Sequence, residues 1–68
     1  MRLRDTFAIN LRRARNAANL SQDDLAHRVG MDRGYVSDLE NSKYSVSIDM
    51  IENLAAALGT QPYKMLQD

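Results

Sequence analysis

The fold is decided by Leu20-Ser21-Gln22-Asp23-Asp24-Leu25-Ala26-His27-Arg28-Val29-Gly30-Met31-Asp32-Arg33-Gly34-Tyr35-Val36-Ser37-Asp38-Leu39-Glu40-Asn41. Its apolar residues recur at helical spacing on both sides of Gly30-Met31-Asp32. Ser21 is placed to cap a helix over residues 22–29, and Asp24, three positions on, approximates a capping box. Asp23 and Asp24 also suit the positive end of that helix dipole. Gly30 ends the helix where a positive φ is needed. Asp32 is placed to cap a second helix over residues 33–41. Two short helices joined by a three-residue turn make a helix-turn-helix arrangement. Spacing of this kind occurs in any small helical bundle, so the residues must carry the reading. Ala26 is small where two such helices would cross. The second helix has only Val36 and Leu39 as firm apolar residues, so most of its circumference is polar. Such a helix lies loosely on a surface or presents a face to something polar.

Outward from this stretch, the pattern predicts helices on both sides. Leu3, Phe7, Leu11, Ala14 and Ala18 form one stripe over residues 3–18, with Arg12, Arg13 and Asn16 off it and Asn19 as a left-handed stop. Ile48, Ile51, Leu54, Ala55 and Leu58 form another over residues 48–58, capped by Ser47 and closed by Gly59. A fifth helix is predicted to start at Pro62, the favoured first position, and to carry Tyr63, Met65 and Leu66. The expectation is an all-α, compact five-helix bundle forming a single domain over residues 1–68.

Composition narrows the function. The chain has 68 residues, 44% of them apolar, with one proline, three glycines and no cysteine. That supports a packed core, but a small one, burying about 60% of the unfolded surface. Disulfides and thiolate metal sites are absent. The longest apolar run, residues 54–58, is far below the roughly 20 residues that span a bilayer. The first residues lack the apolar stretch of a signal peptide. These features predict a soluble protein of a reducing compartment. Nine basic and nine acidic residues cancel, but residues 1–33 carry +3 and residues 34–68 carry −3 by count. A basic half can face a polyanion while the acidic half faces away; two ordinary solvated surfaces give the same count.

Catalytic constellations are missing. His27 is the only histidine, on the side of its helix opposite Leu25 and Val29, and a metal site needs several convergent ligands. Asp23 and Asp24 diverge as neighbours on a helix. No glycine-rich phosphate loop is present, and no base activates a serine. An enzyme, a cofactor, a metal site and a small-molecule ligand are therefore not expected.

The chain resembles the phage-repressor-like (Cro/CI, or XRE) helix-turn-helix proteins. The resemblance rests on Leu20-Ser21-Gln22, Leu25-Ala26, Val29-Gly30, Val36-Ser37-Asp38-Leu39-Glu40 and Leu54-Ala55-Ala56-Ala57-Leu58-Gly59. It covers nearly the whole chain from Arg12 to about Leu66. Two positions depart from the family pattern: Ser42 replaces a glycine and Val46 a proline. Ser42 or Asn41 must then accept the helix-ending conformation at some cost. Residues 32–37, with the glycine- and proline-free loop after the second helix of the motif, look most like the controller proteins of restriction–modification systems. Prophage regulators and antitoxins share the scaffold.

The resemblance implies a lambda-repressor-like DNA-binding domain acting as a cytoplasmic, nucleoid-associated transcription regulator of a bacterium or phage. Its recognition helix would enter the major groove. Arg33, Gly34, Ser37 and Asp38 would then face the bases. Arg33 is the best reader, because its planar fork matches guanine O6 and N7. Gly34 would let the backbone or Tyr35 approach closely. Ser37 can bond a base, a phosphate or its own helix. Asp38 either accepts from a cytosine or, as we favour, orients an arginine. Gln22, Tyr35, Asn41, Lys43 and Tyr44 are the phosphate candidates, Tyr35 having half-buried packing as its other role. Arg15 and Glu40 occupy positions where the family buries an ion pair that anchors the recognition helix. Met50, Ile51, Tyr63, Met65 and Leu66 are left to bury in a homodimer interface, or in closure of the chain's own core. A homodimer would read a near-palindromic operator. Nothing past Asp68 is expected to bind an inducer. The rival expectation is an antitoxin-like helical protein-interaction module.

Overall fold

The computed structural model describes residues 2–68. Four α-helices follow in order: α1 Leu3–Ala17, α2 Gln22–Val29, α3 Arg33–Glu40 and α4 Ile48–Leu58. A 3-10 turn, Pro62–Leu66, closes the described chain. Among the described residues there are thus four α-helices, not five. The predicted fifth helix is a five-residue piece with Pro62 in its first turn, too short to gain much from i→i−4 bonding. Its backbone closes i→i+3, from Lys64 N–H to the Gln61 carbonyl. Asn10 then takes up the Met65 and Gln67 carbonyls with its side-chain amide.

The first turns follow the sequence with one exception. Ser21 and Asp24 form a reciprocal capping box, and the Ser47 hydroxyl accepts from Met50 N–H. Asp32 sits at the N-cap of α3, but its side chain makes no capping hydrogen bond.

The four helices end in one common way. At each end a residue with positive φ follows, namely Asn19, Gly30, Ser42 or Gly59. The next residue's N–H folds back on a carbonyl of the last turn: Leu20 to Arg15, Met31 to Ala26, Lys43 to Asp38 and Thr60 to Ala55. This is the Schellman closure, which satisfies carbonyls the helix leaves open. Glycine enters it freely and asparagine tolerates it, whereas serine at φ 61° carries a cost of up to about 1–2 kcal/mol.

The core gathers Phe7, Leu11, Leu25, Val36, Leu39, Leu54 and Met65, all essentially inaccessible. α2 packs on α3 and α4, while α1 packs on α3 and the 3-10 turn. Three predicted stripe residues are exposed, two of them large. Ile48 is 78% exposed and Leu3 is also exposed, because each starts its helix beyond the reach of the opposing element. They line a surface groove with Phe7, Val46, Ile51 and Leu66. Ala18 lies past the end of α1 and is exposed.

Two residues expected to face a second subunit are core residues instead. Met65 is 1% exposed and Ile51 is 7% exposed, because the 3-10 turn folds against α1 and α4. Met65→Ala is therefore expected to cost about 2–5 kcal/mol in denaturant unfolding, as for truncation of a closed core side chain. An unchanged midpoint would return Met65 to the surface.

Candidate nucleic-acid interface

α3 turns Val36 and Leu39 into the core. The opposite side carries Arg33 and Gly34, both exposed, with Ser37 and Asp38 half-buried beside them. The four candidate base readers therefore share one outward strip.

The helix is held by its last residue. The Glu40 side chain is 0% exposed, so its charge must be paired. Arg15 supplies Nε to Oε2 at 2.6 Å and Nη2 to Oε1 at 3.1 Å. Gln22 Nε2 donates to Oε1 at 3.1 Å and Arg12 Nε to the same oxygen at 3.4 Å. The remaining Arg15 amino group donates to the Leu20 carbonyl at 2.8 Å. One carboxylate thereby joins α1, α2 and α3, and Arg15 adds the chain end between α1 and α2. No buried side-chain nitrogen or oxygen among the described residues lacks a partner. Burial pushes the Glu40 carboxyl up, but the hydrogen bonds from Arg15 and Gln22 and the Arg15 charge outweigh it. The net position is below the ordinary glutamate value. The same contact raises Arg15.

Sequence reasoning placed Arg15 and Glu40 together but missed Arg12. The available signal was its position one helical turn before Arg15, on the same side of α1. Gln22 was read as a DNA contact and not as a partner of Glu40. Its amide uses one of two N–H donors on Glu40, which leaves the chemistry for a second acceptor.

The other candidates are engaged with neighbours across the same surface. Arg33 Nε lies 3.7 Å from Asp23 Oδ1. Asp38 is paired at 3.7 Å with Lys43, so its cation is a lysine and not the favoured arginine. Asn41 donates its amide to the Ser37 hydroxyl at 3.4 Å. The Tyr35 and Tyr44 rings lie 6.4 Å apart, tilted by 31°, with Tyr35 half-buried and Tyr44 exposed. A Cβ on Gly34 would meet nothing within 4 Å. No close approach within the chain demands this glycine, and the clearance it creates faces outward. Of the residues expected to lie between subunits, Tyr63 is exposed and Met50 and Leu66 are half-buried. His27 is exposed on α2.

Comparison with known proteins agrees with this arrangement. The family model described as Helix-turn-helix matches residues 11–64, and the chain belongs to that family. It is 41% identical over 64 residues to a hypothetical transcription factor of Neisseria meningitidis serogroup B, covering 94% of this chain and 60% of that protein. The chain thus spans less than two thirds of that relative's length. It is 38% identical over 65 residues to control protein C.BamHI of Bacillus amyloliquefaciens, covering 94% of this chain and 80% of the relative. The crystal structure of the restriction–modification controller protein C.AhdI from Aeromonas hydrophila superposes with a TM-score of 0.86 at 39% identity, covering 91% of this chain and 94% of that one. No helix among the described residues is long and apolar enough to cross a membrane.

Glu40→Gln removes the charge while keeping the shape, leaving Arg15 without a counter-ion. A loss of about 3–5 kcal/mol is expected, as for breaking a buried pair. Because the Glu40 carboxyl is lowered on folding, its stabilisation is complete above the ordinary glutamate range and drains away as pH falls through the lowered value. Chemical denaturation at a series of acidic pH values should show a steeper loss for the wild type than for Glu40→Gln. An unchanged midpoint in the variant would reduce the pair to a surface contact.

Proposed function

We propose that this chain is a sequence-specific double-stranded DNA-binding transcription regulator that acts as a homodimer, and that it controls a restriction–modification system. The observation that carries the reading is the outward strip of α3, polar throughout and headed by Arg33, on a helix locked from behind by Glu40. A rigid helix with a forked donor at its first position suits bidentate reading of a guanine, which discriminates by about 1–3 kcal/mol. The clearance at Gly34 gives a base pair room to approach.

Around this strip, Gln22 at the start of α2 and Asn41, Lys43 and Tyr44 after α3 would contact phosphates, fixing register without reading sequence. Tyr35, half-buried against Tyr44, would support that group. The similarity to two control proteins, over 80% of one and 94% of the other, favours the controller role. Exposed Leu3, Ile48 and Tyr63, beside half-buried Met50 and Leu66, supply apolar surface for a second subunit. Two-fold symmetry would then set recognition helices about 34 Å apart on a near-palindromic operator.

The test is selection of bound duplexes from a random pool at physiological salt, with wild type and Arg33→Ala. The wild type should enrich a two-fold motif, and the variant should lose one guanine position in each half. A folded wild-type protein that enriches nothing would overturn the regulator reading in favour of a protein partner.

A further inference from the structure

The end of α3 is the one helix end whose positive φ falls on a residue that resists it. Ser42 is also the one such residue whose side chain is tied down: its hydroxyl donates to Asp5 Oδ1, in the first turn of α1. One residue earlier, Arg4 reaches the same loop, donating from Nη2 to the Ser45 hydroxyl at 2.8 Å. Between these two anchors lie Lys43 and Tyr44, both exposed. The start of α1 thus grips both ends of a four-residue loop and leaves its middle facing solvent.

We propose that Asp5 is a positioning residue for DNA binding, holding the Ser42 turn so that Lys43 and Tyr44 are presented to the phosphate backbone. The role rests on the DNA-binding reading above and adds a residue on the far side of the loop from the DNA. The Ser42 hydrogen bond holds the Asp5 carboxyl below its ordinary value, against some desolvation and with help from Arg2. The carboxylate is therefore the state that accepts from Ser42 at neutral pH.

The prediction runs against simple charge. Removing a carboxylate from a protein that binds a polyanion should strengthen binding. Loss of the clamp should weaken it. Asp5→Ala is expected to bind the selected duplex about three- to tenfold less tightly, the scale of one weakened phosphate contact. The slope of log K against log salt should become shallower by about 1. Asp5→Asn makes the same charge change but keeps a carbonyl acceptor, and should retain near wild-type affinity. Ser42→Gly removes the hydroxyl and also the backbone strain. It should weaken binding like Asp5→Ala and add little in that background. In the free protein, amide exchange at Ser42 and Lys43, whose N–H groups donate to the Leu39 and Asp38 carbonyls, should accelerate in Asp5→Ala.

Tighter or unchanged binding by folded Asp5→Ala, with the wild-type salt slope, would overturn the positioning role and leave the DNA reading standing. Unchanged binding by Ser42→Gly would do the same. A wild-type chain without salt-dependent affinity for any duplex would overturn both.

Discussion

Everything on the candidate face depends on a single buried carboxylate. Glu40 ends α3 with its side chain wholly enclosed, and the cost of that burial is offset only while its donors stay in place. The forked contact from Arg15, with Gln22 and Arg12 converging on one oxygen, has direction as well as energy. It sets which side of α3 faces out, and so where Arg33 and Ser37 stand. An eight-residue helix has too few hydrogen bonds to persist alone. α2 and α3 exist because this contact, the shared core and their closed ends act together.

The helix ends were largely legible from sequence because capping chemistry is local. Ser21, Gly30, Ser47 and Gly59 act as their residue types dictate, and Asn19 takes the left-handed turn expected of it. The need for an unfavourable residue after α3 was also legible, and the structure settles it on Ser42. Its partner Asp5 lies 37 positions away, and no local pattern connects them. Arg12 is intermediate: its spacing from Arg15 was a local signal, but one that does not name Glu40. Its periodicity places it off the apolar stripe, and only the packing of α1 on α3 brings it over Glu40.

Apolar patterning was informative about the middle of each element and weaker at the ends. Phe7, Leu11, Leu25, Val36, Leu39 and Leu54 fill the core as their spacing requires. Ile48 and Leu3 fit their stripes equally well yet stand exposed, because periodicity assigns a direction and not an opposing surface. The reverse holds for Met65. Tyr63, Met65 and Leu66 were open to a second subunit or to the chain's own core; the 3-10 turn takes Met65 into the core and leaves Tyr63 exposed. A short apolar tail carries no sign of whether its partner is another element or another molecule.

Charge arithmetic alone could not separate structural cations from available ones, although exposure does. Arg15, 13% exposed, is committed to Glu40. Arg33 and Lys43 are 66% and 65% exposed and sit 3.7 Å from Asp23 and Asp38. Pairs of that kind are worth less than about 1 kcal/mol and exchange readily for a stronger anion. A phosphate or a guanine edge can therefore take Arg33 or Lys43 from its carboxylate, whereas nothing of that strength can take Arg15. Under the proposed DNA-reading role, the neutral total has a physical meaning. Each exposed cation of the face starts with a weak internal partner, so a loose, non-specific contact gains little over the free protein. Only a site that engages several of these groups at once, in the geometry α3 imposes, gains enough to displace them all.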